Sequence, residues 1–260
     1  MTTSSLSSAI ESVPVYDAAA FAAQALSSPA ALSAVIDHTL LKADATREQA
    51  LKIAREAAEY RFACAMVNPV WTGLLASELA GTGIPVGVVV GFPLGANLVS
   101  TKREETAALL RLGAKEIDMV LNIGLLKSGE TTRVARDIEA VVEVSHDAGA
   151  IVKVILETCL LTTEEKLTAS EIACAAGVDF LKTSTGFSVH GATAEDVALL
   201  RGVAGTRCGV KASGGIRTLV DAETMLRAGA SRIGASASVA IVEALKHGAK
   251  PDSSQGASGY

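Results

Sequence analysis

Lysine seldom sits inside a β-strand, yet three apolar segments of this 260-residue chain each carry one. They are Lys153 in VKVILET, Lys182 in FLKTSTGF and Lys211 in GVKASGGIR, and a fourth segment, EIDMVLNIG, carries Asp118. Strand side chains alternate between two faces, so each charge points away from its apolar neighbours. Lys182 and Lys211 fall at comparable positions of consecutive strands, and adjacent parallel strands lie roughly 4.8 Å apart. Two ammonium groups in a partly dry cavity repel, and both desolvation and repulsion lower a lysine pKa. With a pKa near 10.4, roughly one lysine in 2,500 is neutral at pH 7. A pKa of ~7 frees about half of it, a change of about 4.6 kcal/mol. Such an amine attacks aldehydes and ketones to form a Schiff base. Asp118, a strand-end carboxylate, is placed to move protons to and from the carbinolamine and enamine. The competing reading is a set of ion-paired structural lysines, because buried charge is usually just paired.

Two glycine-rich turns extend this chemistry. Ser213-Gly214-Gly215-Ile216-Arg217 follows the segment of Lys211, and Gly234-Ala235-Ser236-Ala237-Ser238 follows the next one. Glycines let the backbone approach an anion, and N–H groups at a helix start favour phosphate. Taken singly, each loop is also an ordinary turn. Together they point to a small phosphorylated aldehyde or sugar.

The elements that position these residues repeat one unit. Strands are expected at 34–38, 62–67, 86–92, 116–122, 151–157, 178–184, 209–213 and 231–235, separated by Ala/Glu/Arg-rich helical segments. Helix starts are expected at Thr46, with Gln49 three residues on, and at Thr163. Eight strands alternating with eight helices in ~250 residues fit an α/β (β/α)8 TIM barrel. An open doubly wound sheet is the alternative, but G-x-G-x-x-G is missing after the first strand. The reading divides the chain into an N-terminal extension (1–32) with a short helix at 17–26, one catalytic barrel domain (33–247) and a flexible Gly/Ser-rich C-terminal tail (248–260). In a barrel, side chains at the C-terminal strand ends line the active site, and the loops after strands seven and eight take phosphate.

The segments IDHTLLK, GFPLG, EIDMVLNIG, KVILET, FLKTSTGF, GVKASGGIRT and RIGAS, in this order, resemble the deoxyribose-phosphate aldolase family. The resemblance covers about 36–242. It implies a class I aldolase that cleaves 2-deoxy-D-ribose 5-phosphate to D-glyceraldehyde 3-phosphate and acetaldehyde, without a metal or other cofactor. It makes Lys182 the Schiff-base lysine, Lys211 the group that perturbs it and Asp118 the proton-transfer acid. It assigns phosphate to Gly186, Gly214, Gly215, Gly234 and Ser236, and it implies a dimer or a monomer. Tyr260 resembles a terminal tyrosine that some members use for proton transfer. The chain departs from the family at Ser188-Val189-His190-Gly191, where a glycine-rich stretch is common, and at Ala237, where a second serine is common.

Other residues carry open readings. Asp37 and Thr39 sit at the expected end of the first strand, where they hydrogen-bond substrate hydroxyls or cap the turn. Cys64 is expected at the barrel mouth, and Asn68 presents an amide to substrate or starts a helix. Lys153 and Glu157 form a pair that orients Asp118, or are plain structure. The four histidines show no metal spacing. Four cysteines without C-x-x-C suit a reducing cytoplasm rather than a disulfide scaffold.

Composition narrows the rest. A net charge of -5 argues against nucleic acid or an anionic membrane as main partner. No apolar run approaches the ~20 residues of a membrane span, and residues 1–12 lack a basic stretch leading into an apolar one. The expected location is therefore cytoplasmic, and the expected partners are small phosphorylated sugars and aldehydes. A phosphosugar isomerase working with a carboxylate base, or a non-catalytic sugar-phosphate binder, are the competing functions.

Overall fold

Alternating apolar strands and capped helices close into a cylinder in the computed structural model, which describes residues 16–248. The strands are β1 (Ile36–Leu40), β2 (Cys64–Val67), β3 (Val86–Val90), β4 (Glu116–Val120), β5 (Ile151–Ile155), β6 (Phe180–Lys182), β7 (Gly209–Ser213) and β8 (Arg232–Ala235). All neighbours pair in parallel, and β8 returns to β1. Two helices, α1 (Ala18–Ala25) and α2 (Pro29–Ser33), precede the barrel. The others follow the strands: α3 (Arg47–Tyr60), α4 (Thr72–Glu78), α5 (Val99–Arg111), α6 (Ile123–Lys127), α7 (Thr131–Asp147), α8 (Thr163–Ala175), α9 (Ala194–Ala204), α10 (Leu219–Arg227) and α11 (Ser238–Lys246). This is the (β/α)8 barrel expected from the strand count. Among the described residues, no helix is long and apolar enough to cross a membrane.

Local chemistry sets the helix starts. Thr46 and Gln49 form the expected reciprocal cap on α3. The cap of α8 lies one residue earlier than expected, at Thr162, because Glu165 three residues on accepts the Thr162 N–H. Lys166, three after Thr163, has no acceptor to offer.

The outward residues of the strands, among them Val88, Ile117, Val154, Leu181 and Val210, pack against the helices in one continuous core. Inside the barrel the two halves differ. Leu41, Cys64, Met66 and Val89 form a small apolar cluster on the β2–β3 side. Charged side chains fill the opposite side. Residues 1–15 and 249–260, the latter including Tyr260, lie outside the described residues.

Candidate active site

Register decides which side chains meet inside the barrel. Asp118 pairs with Lys153, and Lys182 with Lys211, across neighbouring strands. Period-two alternation then sends Asp37, Glu116, Asp118, Lys153, Lys182, Lys211 and Arg232 inward. Lys182 Nζ donates to Asp118 Oδ2 at 2.8 Å, and Lys211 Nζ donates to the same oxygen at 2.7 Å. The two lysine nitrogens therefore stand within two hydrogen-bond lengths of each other. Lys153 donates to Asp118 Oδ1 at 3.0 Å and also to Glu116. Asp118 is fully buried, and Lys182 is 3% exposed.

The environment separates the three lysines electrically. Burial is the largest influence on Lys182 and lowers its pKa; Asp118 opposes this, and the Lys211 and Lys153 cations add to it, bringing the group to about 8. About a tenth of it is then neutral at pH 7. Of the two causes expected from the sequence, burial is therefore the larger and the neighbouring cation assists. Burial also opposes charge on Lys211 and Lys153, but carboxylates on several sides outweigh it and hold both above the ordinary lysine range. Burial likewise raises the Asp118 pKa, yet Lys153, Lys182 and Lys211 together keep the carboxyl well below the usual value. One amine beside a fixed carboxylate and two persistent cations can attack a carbonyl and pass protons.

Above these groups opens a cavity of about 420 Å³ lined by Thr39, Lys182, Lys211, Gly186, Gly214, Gly215, Gly234 and Ser236, among others. The fold therefore gathers the expected lysines and both glycine turns around one space. Gly214 holds φ +85, a left-handed conformation that side chains rarely adopt. Gly234 serves another purpose. A Cβ there would stand 2.9 Å from Lys211 Cε, so the missing side chain is the gap through which Lys211 passes. Beyond Ser236, α11 follows the N-cap residue Ala237, which has no side-chain cap to offer and leaves the first N–H groups of the helix toward the mouth.

Three expectations are corrected. β1 begins at Ile36, two residues later than expected, so Asp37 lies near its start instead of its end. Asp37 is fully buried; it accepts from Lys211 at 2.5 Å and from Arg232 at 2.7 Å, and does not face the cavity. Cys64 opens β2 at the closed end of the barrel, not the mouth, and burial pushes its thiol pKa well up. Glu157 does not pair with Lys153. It accepts the Thr185 N–H at 3.3 Å and the Thr185 hydroxyl, while Thr185 Oγ1 accepts from Phe187 N at 3.0 Å. Asn68 starts the short 3₁₀ helix Pro69–Trp71, as one of its two readings had it, while its side chain donates to Leu41 O at 3.0 Å and ties the β1 loop down.

Glu157 was not singled out for this work. It sits at φ +56, a left-handed position costing a side-chain residue of order 1–3 kcal/mol, immediately beside the cavity loop that carries Gly186. Glu157→Ala leaves the buried Thr185 donors unpaired, and urea unfolding should show a loss of about 1–3 kcal/mol. The loosened loop should also raise KM for phosphorylated substrate more than it slows capture of free acetaldehyde. Glu116 and Arg232 were missed as well. Both stand two residues before a residue already singled out, Asp118 and Gly234, so alternation places them on the same face.

Asp37, Cys64 and Glu116 come close enough to share a metal ion. Their carboxylates are instead held by Lys153, Lys211 and Arg232, which already supply the positive charge. A parallel barrel with a buried lysine of lowered pKa at a C-terminal strand end fits the class of lysine-dependent barrel enzymes. The description "DeoC/LacD family aldolase" matches residues 32–244, and the chain belongs to that family. Deoxyribose-phosphate aldolase of Bacillus cereus (strain AH187) is 56% identical over 211 residues, covering 81% of this chain and 94% of the relative. The same enzyme of Bacillus anthracis matches equally well. The tetrameric deoxyribose phosphate aldolase from Aeropyrum pernix superposes with a TM-score of 0.82 at 36% identity, over 88% of this chain and 97% of that one.

Proposed function

We infer that this chain is a class I aldolase that reversibly cleaves 2-deoxy-D-ribose 5-phosphate to D-glyceraldehyde 3-phosphate and acetaldehyde. The observation that carries the reading is Lys182, buried at the cavity floor and held by a single carboxylate oxygen with its pKa near 8. Its neutral amine adds to the C1 aldehyde of the open-chain sugar, and loss of water gives the imine. Removal of the C3 hydroxyl proton breaks the C2–C3 bond; the electron pair passes into the enamine, and glyceraldehyde 3-phosphate leaves. Protonation at C2 and hydrolysis release acetaldehyde and restore the amine. Asp118 and Lys211 are the groups beside Lys182 that shuttle these protons. The phosphate rests on the backbone at Gly186, Gly214, Gly215 and Gly234 and on Ser236, with the uncapped start of α11 adding attraction. Thr39 meets a substrate hydroxyl from the same wall.

Incubation with acetaldehyde and borohydride should add a two-carbon adduct to the peptide containing Lys182. The trapping rate should rise close to tenfold from pH 6 to 7, about fivefold from pH 7 to 8, and flatten above that, because the free base dominates only above the amine pKa of about 8. An isomerase or a simple binder would show no adduct. The proposed location is cytoplasmic, supported by four thiols that stand as free cysteines. The dimer-or-monomer expectation belongs to the same proposal, and sedimentation at assay concentration separates it from the tetramer described for the Aeropyrum relative.

A further inference from the structure

Seven charged side chains meet inside the barrel, and their signs do not match. Asp37 on β1 with Glu116 and Asp118 on β4 supply three carboxylates; the buried Glu157, beyond the end of β5, is taken up by the Thr185 N–H and hydroxyl and pairs with none of the barrel cations. Lys153 on β5, Lys182 on β6, Lys211 on β7 and Arg232 on β8 supply four cations. The inward residues of β2 and β3 add no charge: Cys64 has its thiol pKa raised well above the ordinary value, and its neighbours Met66 and Val89 are apolar.

The four cations are not held equally. Lys153 lies against all three carboxylates, at 3.0 Å from Asp118, 3.7 Å from Asp37, and against Glu116. Lys211 bridges Asp37 at 2.5 Å and Asp118 at 2.7 Å. Arg232 bridges Asp37 at 2.7 Å and Glu116 at 3.4 Å, with its guanidinium over the Phe180 ring. Among the described residues Lys182 pairs with Asp118 alone, through an oxygen that Lys211 also uses. A buried charge without a counter-charge is far costlier than a matched set. A guanidinium does not release its proton in a protein, so the group whose proton the imbalance loosens is a lysine. Lys182 has the fewest carboxylates and lies nearest the mouth, so it is the lysine that yields.

We propose that the charge count of the whole barrel interior, rather than Lys211 alone, makes Lys182 the lysine that gives up its proton most readily, which makes Arg232 and Glu116 positioning residues for the reaction. Neither lines the cavity. They act through an unbroken chain of contacts, Arg232 to Asp37 to Lys211 to Asp118 to Lys182. All of these but Arg232 are at most 3% exposed, where water screens little. This inference rests on the aldolase reading above and deepens it.

Charge-changing variants at the closed end test it by sign. Arg232→Met leaves three cations against three carboxylates, so a protonated Lys182 becomes matched. Its acid limb in the pH–rate profile should move up by roughly one unit, with about tenfold less activity at pH 7 and recovery near pH 9. Glu116→Gln leaves two carboxylates, and the same limb should move down. Arg232→Lys keeps the charge and should keep the wild-type profile. Both the cleavage rate and the fraction of Lys182 trapped by acetaldehyde and borohydride are read across pH. Limbs that stay put, or that move the same way in both variants, overturn the charge count. A wild-type protein that traps no acetaldehyde on Lys182 overturns the aldolase reading instead. Should the variants fail to fold, NMR titration of labelled lysines in the wild type decides: Lys182 must lose its proton before Lys153 and Lys211, and the reverse order overturns the proposal.

Discussion

Lys182→Leu should abolish carbon–carbon cleavage while the barrel stays folded. Without the amine no imine forms, and the electron pair of the breaking C2–C3 bond has no acceptor within the protein. Loss of a covalent nucleophile that acts in concert with its neighbours costs on the order of 10⁴-fold or more in kcat. Lys211 cannot substitute, because Asp37 and Asp118 both hold it as an ammonium. Stability should move little or increase. The substitution removes one cation from an interior that holds four against three carboxylates, and leucine fills much of the lysine stem's volume. Retained turnover within tenfold of the starting rate, or a borohydride adduct on another lysine, would sink the assignment. Thermal melting of the same sample separates lost chemistry from lost fold.

Asp118→Asn should act in the opposite manner, by damaging turnover and stability together. Asp118 accepts from three ammonium groups, and among the described residues no other carboxylate touches Lys182. The amide keeps one acceptor oxygen but turns an N–H₂ donor against a cation. Removing one partner of a buried pair costs about 3–5 kcal/mol, moderated here because Lys182 can shed its proton. The sign for pH follows: Asp118 raises the Lys182 pKa, so without it the amine is neutral at lower pH and the acid limb moves down. The nucleophile survives, so acetaldehyde should still be trapped on Lys182. Turnover should nevertheless fall by about 10²–10⁴-fold, the usual contribution of a positioned acid–base group. Equal losses in trapping and turnover would show that Asp118 holds the fold and moves no protons. Urea unfolding and single-turnover cleavage measure the two halves.

The barrel was legible because its signals are local. Apolar strands, capped helices and chain length require only short-range patterns, and the observed elements shift from expectation by a few residues. Those small shifts matter most at strand ends. Two residues of slip at β1 carried Asp37 from the expected mouth to the interior, and the later start of β2 placed Cys64 at the closed end. A strand's exact start depends on which partner groups its first N–H and C=O find, and these belong to other strands. The Thr163 cap was misread by one residue for a reason the sequence does contain, since Glu165 and not Lys166 can accept the reciprocal bond.

Residue type and period two settled which charges enter the barrel: Lys153, Lys182, Lys211 and Asp118 each sit in apolar surroundings that leave only one direction open. Ring closure decided what each of them touches. Joining β8 to β1 brings Asp37 beside Arg232, and bare Gly234 opens the passage by which Lys211 crosses β8 to reach Asp37 on β1. The seven charges come from six strands, with the carboxylates on β1 and β4 alone, and attraction between charges depends on separation in space, which linear order does not encode. That is why the inward charges could be read along the chain, while the set of neighbours that lowers the Lys182 pKa emerged only when the cylinder closed.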